Sequence, residues 1–384
     1  MANELDLEPF FRPLQIKGLT LPNRFVMPAM QRQWCIDGRP LPHLTDYYCR
    51  RAEGGVGLLI TESCAIDHPS ATQNPVYARI NDATIDAWAA CVRLVKSAGS
   101  PMLMQLWHEG AIRKEGGDGP YSEHPTLSPS GLIHQDKTNG RAATTEELTT
   151  IKDAFVRSAL LAQQAGFDGV ELHAAHGFLL DQFLWPQTNR RNDGYGGPEM
   201  AARARFPAEV VAAVRLAVGD EFAISFRFSQ WKEVNYGARV AESPAELGLM
   251  LRLLRTAGVD VFHASARRFW VPEWPGSDLG IAGWTKSLTD AKVIAVGSVG
   301  LDIDVMTNFL ESEARPTGAS GLQKLSSRFD RGEFDLVAVG RGLIGDPQWV
   351  QKVRRGDFGS IKMFTKKDLL GDLELSDFNP DTDH

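Results

Sequence analysis

Eight short runs of β-branched and apolar residues, each followed by a stretch with helical spacing, set the tightest limit on how this 384-residue chain can fold. The runs fall at 24–30, 56–62, 101–107, 169–173, 222–228, 259–264, 292–296 and 335–339. Strand-like runs alternating with helical ones read as parallel βαβ units. The intervening helices carry recognisable ends. Thr144-x-x-Glu147 is a capping-box pattern, followed by Leu148, Ile151, Phe155 and Ala162 on one face and Gly166 as the stop. Ser243-x-x-Glu246 opens another, with Leu247, Met250, Leu251 and Leu254 inward and Gly258 closing it. Three helix-to-strand junctions echo one another: Ala98-Gly99, Ala165-Gly166-Phe167-Asp168 and Ala257-Gly258-Val259-Asp260. Such junctions also occur in doubly wound sheets, but eight units favour a (β/α)₈ barrel. The expectation is a single α/β barrel domain over 1–384.

Several function classes recede on composition. The longest apolar runs fall well short of the roughly 18 residues that cross a bilayer, so no membrane association is expected. The opening MANELDLEPFF is acidic and lacks a basic segment followed by an apolar one, which is not the pattern of a signal peptide. A formal charge of −7 without any basic block argues against nucleic acid. The four cysteines, Cys35, Cys49, Cys64 and Cys91, form no Cys-x-x-Cys pair, so neither a disulfide framework nor an iron–sulfur cluster is expected. The cytoplasm is the default address, and the sequence is compatible with a homo-oligomer. The longest irregular stretch, 108–145, is rich in Gly, Pro, Ser and Asp and would follow strand three, at the barrel end where active sites form. It reads as a capping insertion or lid, or alternatively as a solvated loop.

Two glycine clusters follow the last two strands, Gly297-Ser298-Val299-Gly300 and Gly340-Arg341-Gly342. Barrels place phosphate at these loops, where glycine lets backbone N–H groups come close and Arg341 adds a bidentate cation. Tight βα turns with a surface ion pair are the plainer reading. Strand four runs into His173-Ala174-Ala175-His176, whose imidazoles can donate to a substrate oxygen over the barrel mouth. The same spacing can ligate zinc, with His108, Glu109 or His263 as third ligand, or the two can be ordinary loop histidines. Arg227 alternates with apolar residues on strand five, so an inward guanidinium needs an anion, either a ligand or a buried carboxylate such as Glu62. Gln105 on strand three suits the edge of a heterocycle.

Three ordered stretches carry a family resemblance: Phe11-Arg12-Pro13-Leu14 through Leu21-Pro22-Asn23-Arg24-Phe25-Val26-Met27, HAAHGFLLDQFLWPQTNRRNDGYGG at 173–197, and VAVGRGLIGDPQWVQKV at 337–353. Over nearly its whole length the chain resembles the old yellow enzyme family of FMN-dependent NAD(P)H oxidoreductases. The resemblance implies that Pro28, Ala29, Met30 and Gln31 pass beside the flavin ring, and that Ser63 and Gln105 contact its polar edge. Arg227 would neutralise charge near N1 and the C2 carbonyl. Gly297, Ser298, Gly340 and Arg341 would hold the phosphate, and His173 and His176 the substrate's carbonyl or nitro oxygen. The implied reaction takes hydride from NAD(P)H and delivers it to an electrophilic alkene activated by a carbonyl or nitro group. Two positions depart from the family. Phe178 stands where many members carry a proton-donating tyrosine in the substrate site, and Gln31 where relatives often have Thr or Cys. The cysteine cluster and second domain of the larger iron–sulfur relatives are not seen in this sequence. Competing expectations are a flavin reductase of quinones, nitroesters or nitroaromatics, a metal-dependent barrel hydrolase using His173 and His176, and a flavin-binding protein with little turnover.

Overall fold

The eight runs become eight parallel strands that close on themselves in a computed structural model describing residues 5–116 and 119–369. They are β1 (Phe25–Met27), β2 (Leu58–Ala65), β3 (Met102–Trp107), β4 (Gly169–His176), β5 (Ala223–Lys232), β6 (Val261–Ser265), β7 (Lys292–Val296) and β8 (Leu336–Ala338). Each pairs with its sequence neighbours, and the β8–β1 pairing completes the ring. The main helices between them are α1 (Pro42–Glu53), α2 (Ile85–Ser97), α3 (Thr145–Ala165), α4 (Met200–Val218), α5 (Pro244–Ala257), α6 (Ile281–Leu288) and α7 (Gly318–Asp330). The expected single domain over 1–384 and the reading of the opening segment extend into residues 1–4, 117–118 and 370–384, which lie outside the described residues.

Local chemistry sets the boundaries. The Thr144 hydroxyl accepts from the Glu147 N–H at 3.2 Å while the Glu147 carboxylate accepts from the Thr144 N–H at 2.8 Å, which satisfies two free donors at the start of α3. β1 stops at Met27 because Pro28 has no N–H to give the ladder.

Alternation along the strands divides the core in two. Residues such as Met104, Leu172, Phe226, Phe262, Val293 and Val337 face the helices. Leu58, Ile60, Leu103, Val261, Ile294 and Leu336 fill the lower barrel, where the hairpin Leu14–Ile16/Leu19–Leu21 plugs the end with Ile16, Leu19 and Leu21. Alternation breaks once inside β2, where the register shifts between Ile60 and Ser63. Ser63 therefore points into the barrel. Glu62 turns toward the helices, where its carboxylate accepts from the Arg32 backbone N–H at 2.7 Å and from the Cys35 thiol at 3.3 Å. The Tyr48 hydroxyl accepts the Glu62 N–H at 2.8 Å.

The described residues of 108–145 include a short 3₁₀ turn (Gly110–Ile112) and small strand pairs, tied down by Ala111 N–H to Gln182 (3.0 Å), Arg190 N–H to Ser130 (2.8 Å) and Arg191 to the Ala143 carbonyl (2.6 Å). Among the described residues no helix is long and apolar enough to cross a membrane.

Candidate active site

Above the apolar floor the inward positions turn polar. The row Ser63, Gln105, Glu171 and Ser225 lies in register across β2 to β5. The Ser63 hydroxyl donates to the Gln105 carbonyl oxygen (2.6 Å), and the Gln105 amide donates to Glu171 (2.8 Å). Ser225 and His263 Nδ1 hold the other Glu171 oxygen at 2.9 and 2.8 Å. Burial pushes the Glu171 carboxyl up, but His263, Arg227 and Gln105 together outweigh it and hold the group ionised, at about 2. Arg227 stands one inward position above Ser225, fully enclosed, with Nη1 donating to the Ala29 carbonyl at 3.3 Å. Its charge partner is therefore Glu171; the expected alternative, Glu62, is excluded by the register break in β2.

The end of β4 carries His173 inward by ordinary alternation. His176 would face the helices by the same rule, but a register shift after Ala174 and a φ of +64° at His176 turn it back over the mouth. An ion pair fixes this turn. Asp181 accepts from the Gly177 N–H at 2.7 Å and from Lys232 Nζ at 2.6 Å, both side chains being fully buried. The His176 ring lies 4.5 Å from Trp231, and its Nε2 meets the Ser265 hydroxyl at 2.8 Å. His173 packs 5.0 Å from Phe178. Burial, then the nearby Arg227, lowers both imidazoles, His173 to about 3 and His176 well below its ordinary value, so both are neutral near pH 7.

On the opposite side Gly297 has φ +139°, and a Cβ there would come within 2.6 Å of the Ala266 carbonyl. Arg341 is largely buried, which lowers it to about 10. It is aimed by Asn308 (3.0 Å), the Ser298 hydroxyl (3.1 Å) and the Ile303 carbonyl (2.6 Å).

All fourteen residues singled out in the sequence (Pro28, Ala29, Met30, Gln31, Ser63, Gln105, His173, His176, Phe178, Arg227, Gly297, Ser298, Gly340 and Arg341) line one cavity of about 430 Å³ at the C-terminal ends of the strands. That is the size and place of a ligand site in a barrel. Among the described residues the insertion 108–145 supplies none of its lining; Trp231 near the end of β5, Glu233 just after it, and Tyr77 after β2 stand there instead. Sequence reasoning missed these three, and Glu171 with its network. Glu171 was detectable, since it lies two residues before His173 on the same strand face. A second hollow of about 480 Å³, among Phe11, Pro22, Val56, Gly99 and Arg354, lies at the opposite end and includes no histidine or carboxylate.

The cavity fits FMN. Three buried donors, Arg227 Nε, His173 Nδ1 and Gln31 Nε2, have no partner among the described residues and call for ligand acceptors. Gly297 is cut back where bulk would clash, and a guanidinium is preset beside it. A metal site would need a third ligand beside the two histidines. His108 is engaged with Ser70 (2.9 Å) and the Gly110 N–H, His263 is bound to Glu171, and among the described residues no three His, Cys, Asp or Glu side chains group as a metal site.

Residues 9–308 match the model of the NADH:flavin oxidoreductase / NADH oxidase family. The chain belongs to that family. Its cofactors are accordingly FMN and a reduced nicotinamide. It is 34% identical to the NADH oxidase of Thermoanaerobacter brockii over 354 residues, 91% of this chain but 51% of that protein, so it spans about half the length of that relative. It is 30% identical to the NADPH dehydrogenase of Bacillus licheniformis, covering 88% of this chain and 92% of the relative. Morphinone reductase superposes with a TM-score of 0.77 at 29% identity, over 98% of this chain and 97% of that one. Old Yellow Enzyme from Pichia sp. AKU4542 superposes with a TM-score of 0.76 at 25% identity, over 94% and 90%. This family member has the closed barrel of its relatives.

Proposed function

We propose that this chain is an FMN-dependent oxidoreductase that takes hydride from NAD(P)H and reduces the C=C bond of alkenes conjugated to a carbonyl or nitro group. The observation that carries the reading is the pair of neutral, buried imidazoles, His173 and His176, in the same cavity as Arg227 and the Gly297/Arg341 cradle. FMN, when bound, supplies the hydride relay between nicotinamide and alkene. Gly297, Ser298, Gly340 and Arg341 would hold its phosphate. Pro28 to Gln31, Ser63 and Gln105 would flank its ring system, with Arg227 offsetting negative charge at the pyrimidine edge. Glu171 keeps Arg227 and Gln105 aimed.

The two histidines would hold the substrate oxygen. A Ser265 hydroxyl donating to His176 Nε2 leaves the Nδ1 proton for the ligand, and His173 has an unpartnered Nδ1. Two preset donors to an oxygen that gains negative charge supply a few kcal/mol. Phe178 has no proton to give the α-carbon, so that proton comes from water or another residue. This same observation favours a second reading, reduction of quinones, nitroesters or nitroaromatics, where no carbon acid is needed.

The test is anaerobic. NAD(P)H should bleach the yellow protein, and a nitroalkene should restore its colour while yielding the saturated nitro compound. Colour restored only by quinones or nitroaromatics would favour the second reading, and a flavin that no electrophile reoxidises would defeat both.

A further inference from the structure

Beside the main cavity, with Trp231, Ser265, Ala266 and Arg267 lining both, is a side hollow of about 240 Å³ between the loops after β5 and β6. It gathers Arg239, Arg267 and Arg268 with the aromatic side chains of Trp231 and Tyr236. Two carboxylates stand against the three guanidiniums. Glu273 takes Arg239 at 2.5 Å, and Asp304 takes Arg267 at 2.9 Å and Arg268 at 3.4 Å. Asp304 is also committed to the Met306 and Thr307 N–H groups and the Thr307 hydroxyl, each at 3.1 Å. Glu233 lines the main cavity and not this hollow. Among the described residues one positive charge is thus left over, and the Arg267 Nε is buried without a partner. The Arg267 guanidinium lies 4.7 Å over the Tyr236 ring, which is 5.8 Å from Trp231.

Surplus guanidinium beside neighbouring aromatic faces is the chemistry that grips a nucleotide: bidentate donors for phosphate, flat surfaces for a purine. The hollow borders the cavity where hydride must be delivered, and a dinucleotide has a nicotinamide at one end and phosphates with adenosine at the other. We propose that this hollow holds the phosphate-bearing adenosine half of the reduced nicotinamide cofactor, with Arg239 and Arg268 as its phosphate ligands and the Trp231/Tyr236 pair against its adenine. Neither arginine lines the main cavity. The assignment rests on the nicotinamide chemistry of the family and is independent of which electrophile is reduced.

The experiment uses the flavin-loaded full chain and the double variant Arg239→Ala/Arg268→Ala. Flavin reduction is followed by stopped flow with NADPH, with NADH, and with 1-benzyl-1,4-dihydronicotinamide, which has neither phosphate nor adenosine. The apparent Kd for the dinucleotides should rise at least ~10-fold, the scale of one lost charge-assisted hydrogen bond. Reduction by the benzyl donor should be unchanged, which shows separately that the flavin site is intact. Weakening of NADPH alone assigns the arginines to its 2′-phosphate, and equal weakening of NADPH and NADH assigns them to the pyrophosphate. As a readout apart from turnover, adenosine 2′,5′-bisphosphate and adenosine 5′-diphosphate are titrated by calorimetry. At least one should bind the wild type and bind the variant more weakly, and Arg239→Lys/Arg268→Lys should restore part of the affinity. Dinucleotide and benzyl donors slowed alike, dinucleotide affinity unchanged, or neither nucleotide binding the wild type would each overturn the proposal.

Discussion

Replacing Glu171 with Gln removes one charge from beneath the site and keeps its shape. The carboxylate accepts from Gln105, Ser225 and His263 and is the main charge partner of the enclosed Arg227, ahead of Glu233. The Ser225 hydroxyl can rotate, and His263 can move its proton to Nε2, so part of the hydrogen bonding can adapt. The charge opposite Arg227 cannot. A carboxyl held at about 2 against an ordinary 4.5 corresponds to about 3 kcal/mol, and removing one partner of a buried pair typically costs about 3–5 kcal/mol. Both routes lead to about 3 kcal/mol. The depressed value means this stability is complete above the ordinary carboxylate range and is lost as pH falls toward about 2. The difference between wild type and Glu171→Gln should therefore be flat from mildly acidic to alkaline pH and shrink only in strong acid. Denaturant titration of the apoproteins at neutral pH measures it, with Ser225→Ala as the control that removes a hydrogen bond but no charge. A folded Glu171→Gln apoprotein within about 0.5 kcal/mol of wild type, no more than the scatter of surface substitutions, would refute the argument that this pair anchors the site.

Arg341→Ala should weaken FMN binding by about 1.5–3 kcal/mol, read by quenching of flavin fluorescence on titration into apoprotein; unchanged affinity would make the residue structural. His173→Ala/His176→Ala should abolish the long-wavelength band of bound phenols and leave the protein yellow, and a surviving band would place the oxygen elsewhere. Because burial holds His173 at about 3 and His176 well below its ordinary value, phenol affinity corrected for the ligand's own ionisation should be level between pH 5 and 8; a midpoint near 6.5 would contradict the neutral assignment. Phe178→Tyr should speed reoxidation by weakly activated enones and spare flavin reduction by NAD(P)H. Equal rates where proton transfer limits the wild type would show that another donor serves.

The barrel was legible because its signal is repeated eight times and each repetition is local. The fourteen cavity residues were found because they sit at strand ends, where the fold gathers whatever the chain places there. What stayed hidden depends on single-residue irregularities. The register shift before Ser63 decides whether Glu62 or Ser63 enters the barrel, and strict alternation assigns them wrongly. The positive φ at His176 has the same effect on β4. Trp231 and Glu233 reach the cavity because β5 runs past Phe228 to Lys232, where the buried pair with Asp181 extends it. Such a long-range ion pair leaves no mark in local sequence. The insertion 108–145 looked like a lid because of its length and composition, which say nothing about the side to which it folds.

The order of strands around the ring has a consequence for how such a protein can change. Residues assigned to the flavin come from β7, β8, β1, β2 and β3, with Arg227 added from β5, and the histidines assigned to substrate come from β4, beside β5 and β6, so that two adjoining arcs make up one closed circle. Arg227 crosses from one to the other, reaching Ala29 from β5, and Gln105 and Glu171 join them at the β3–β4 edge. Because neighbours in the ring are neighbours in sequence, the substrate arc is one uninterrupted stretch, about 169–291, flanked by the cofactor arc on both sides. Recombination between relatives at those two seams would exchange selectivity as a cassette. The Arg227 contact, the β3–β4 and β6–β7 edges, and the ties of Gln182, Arg190 and Arg191 to the 108–145 insertion would have to match for the chimera to keep its flavin.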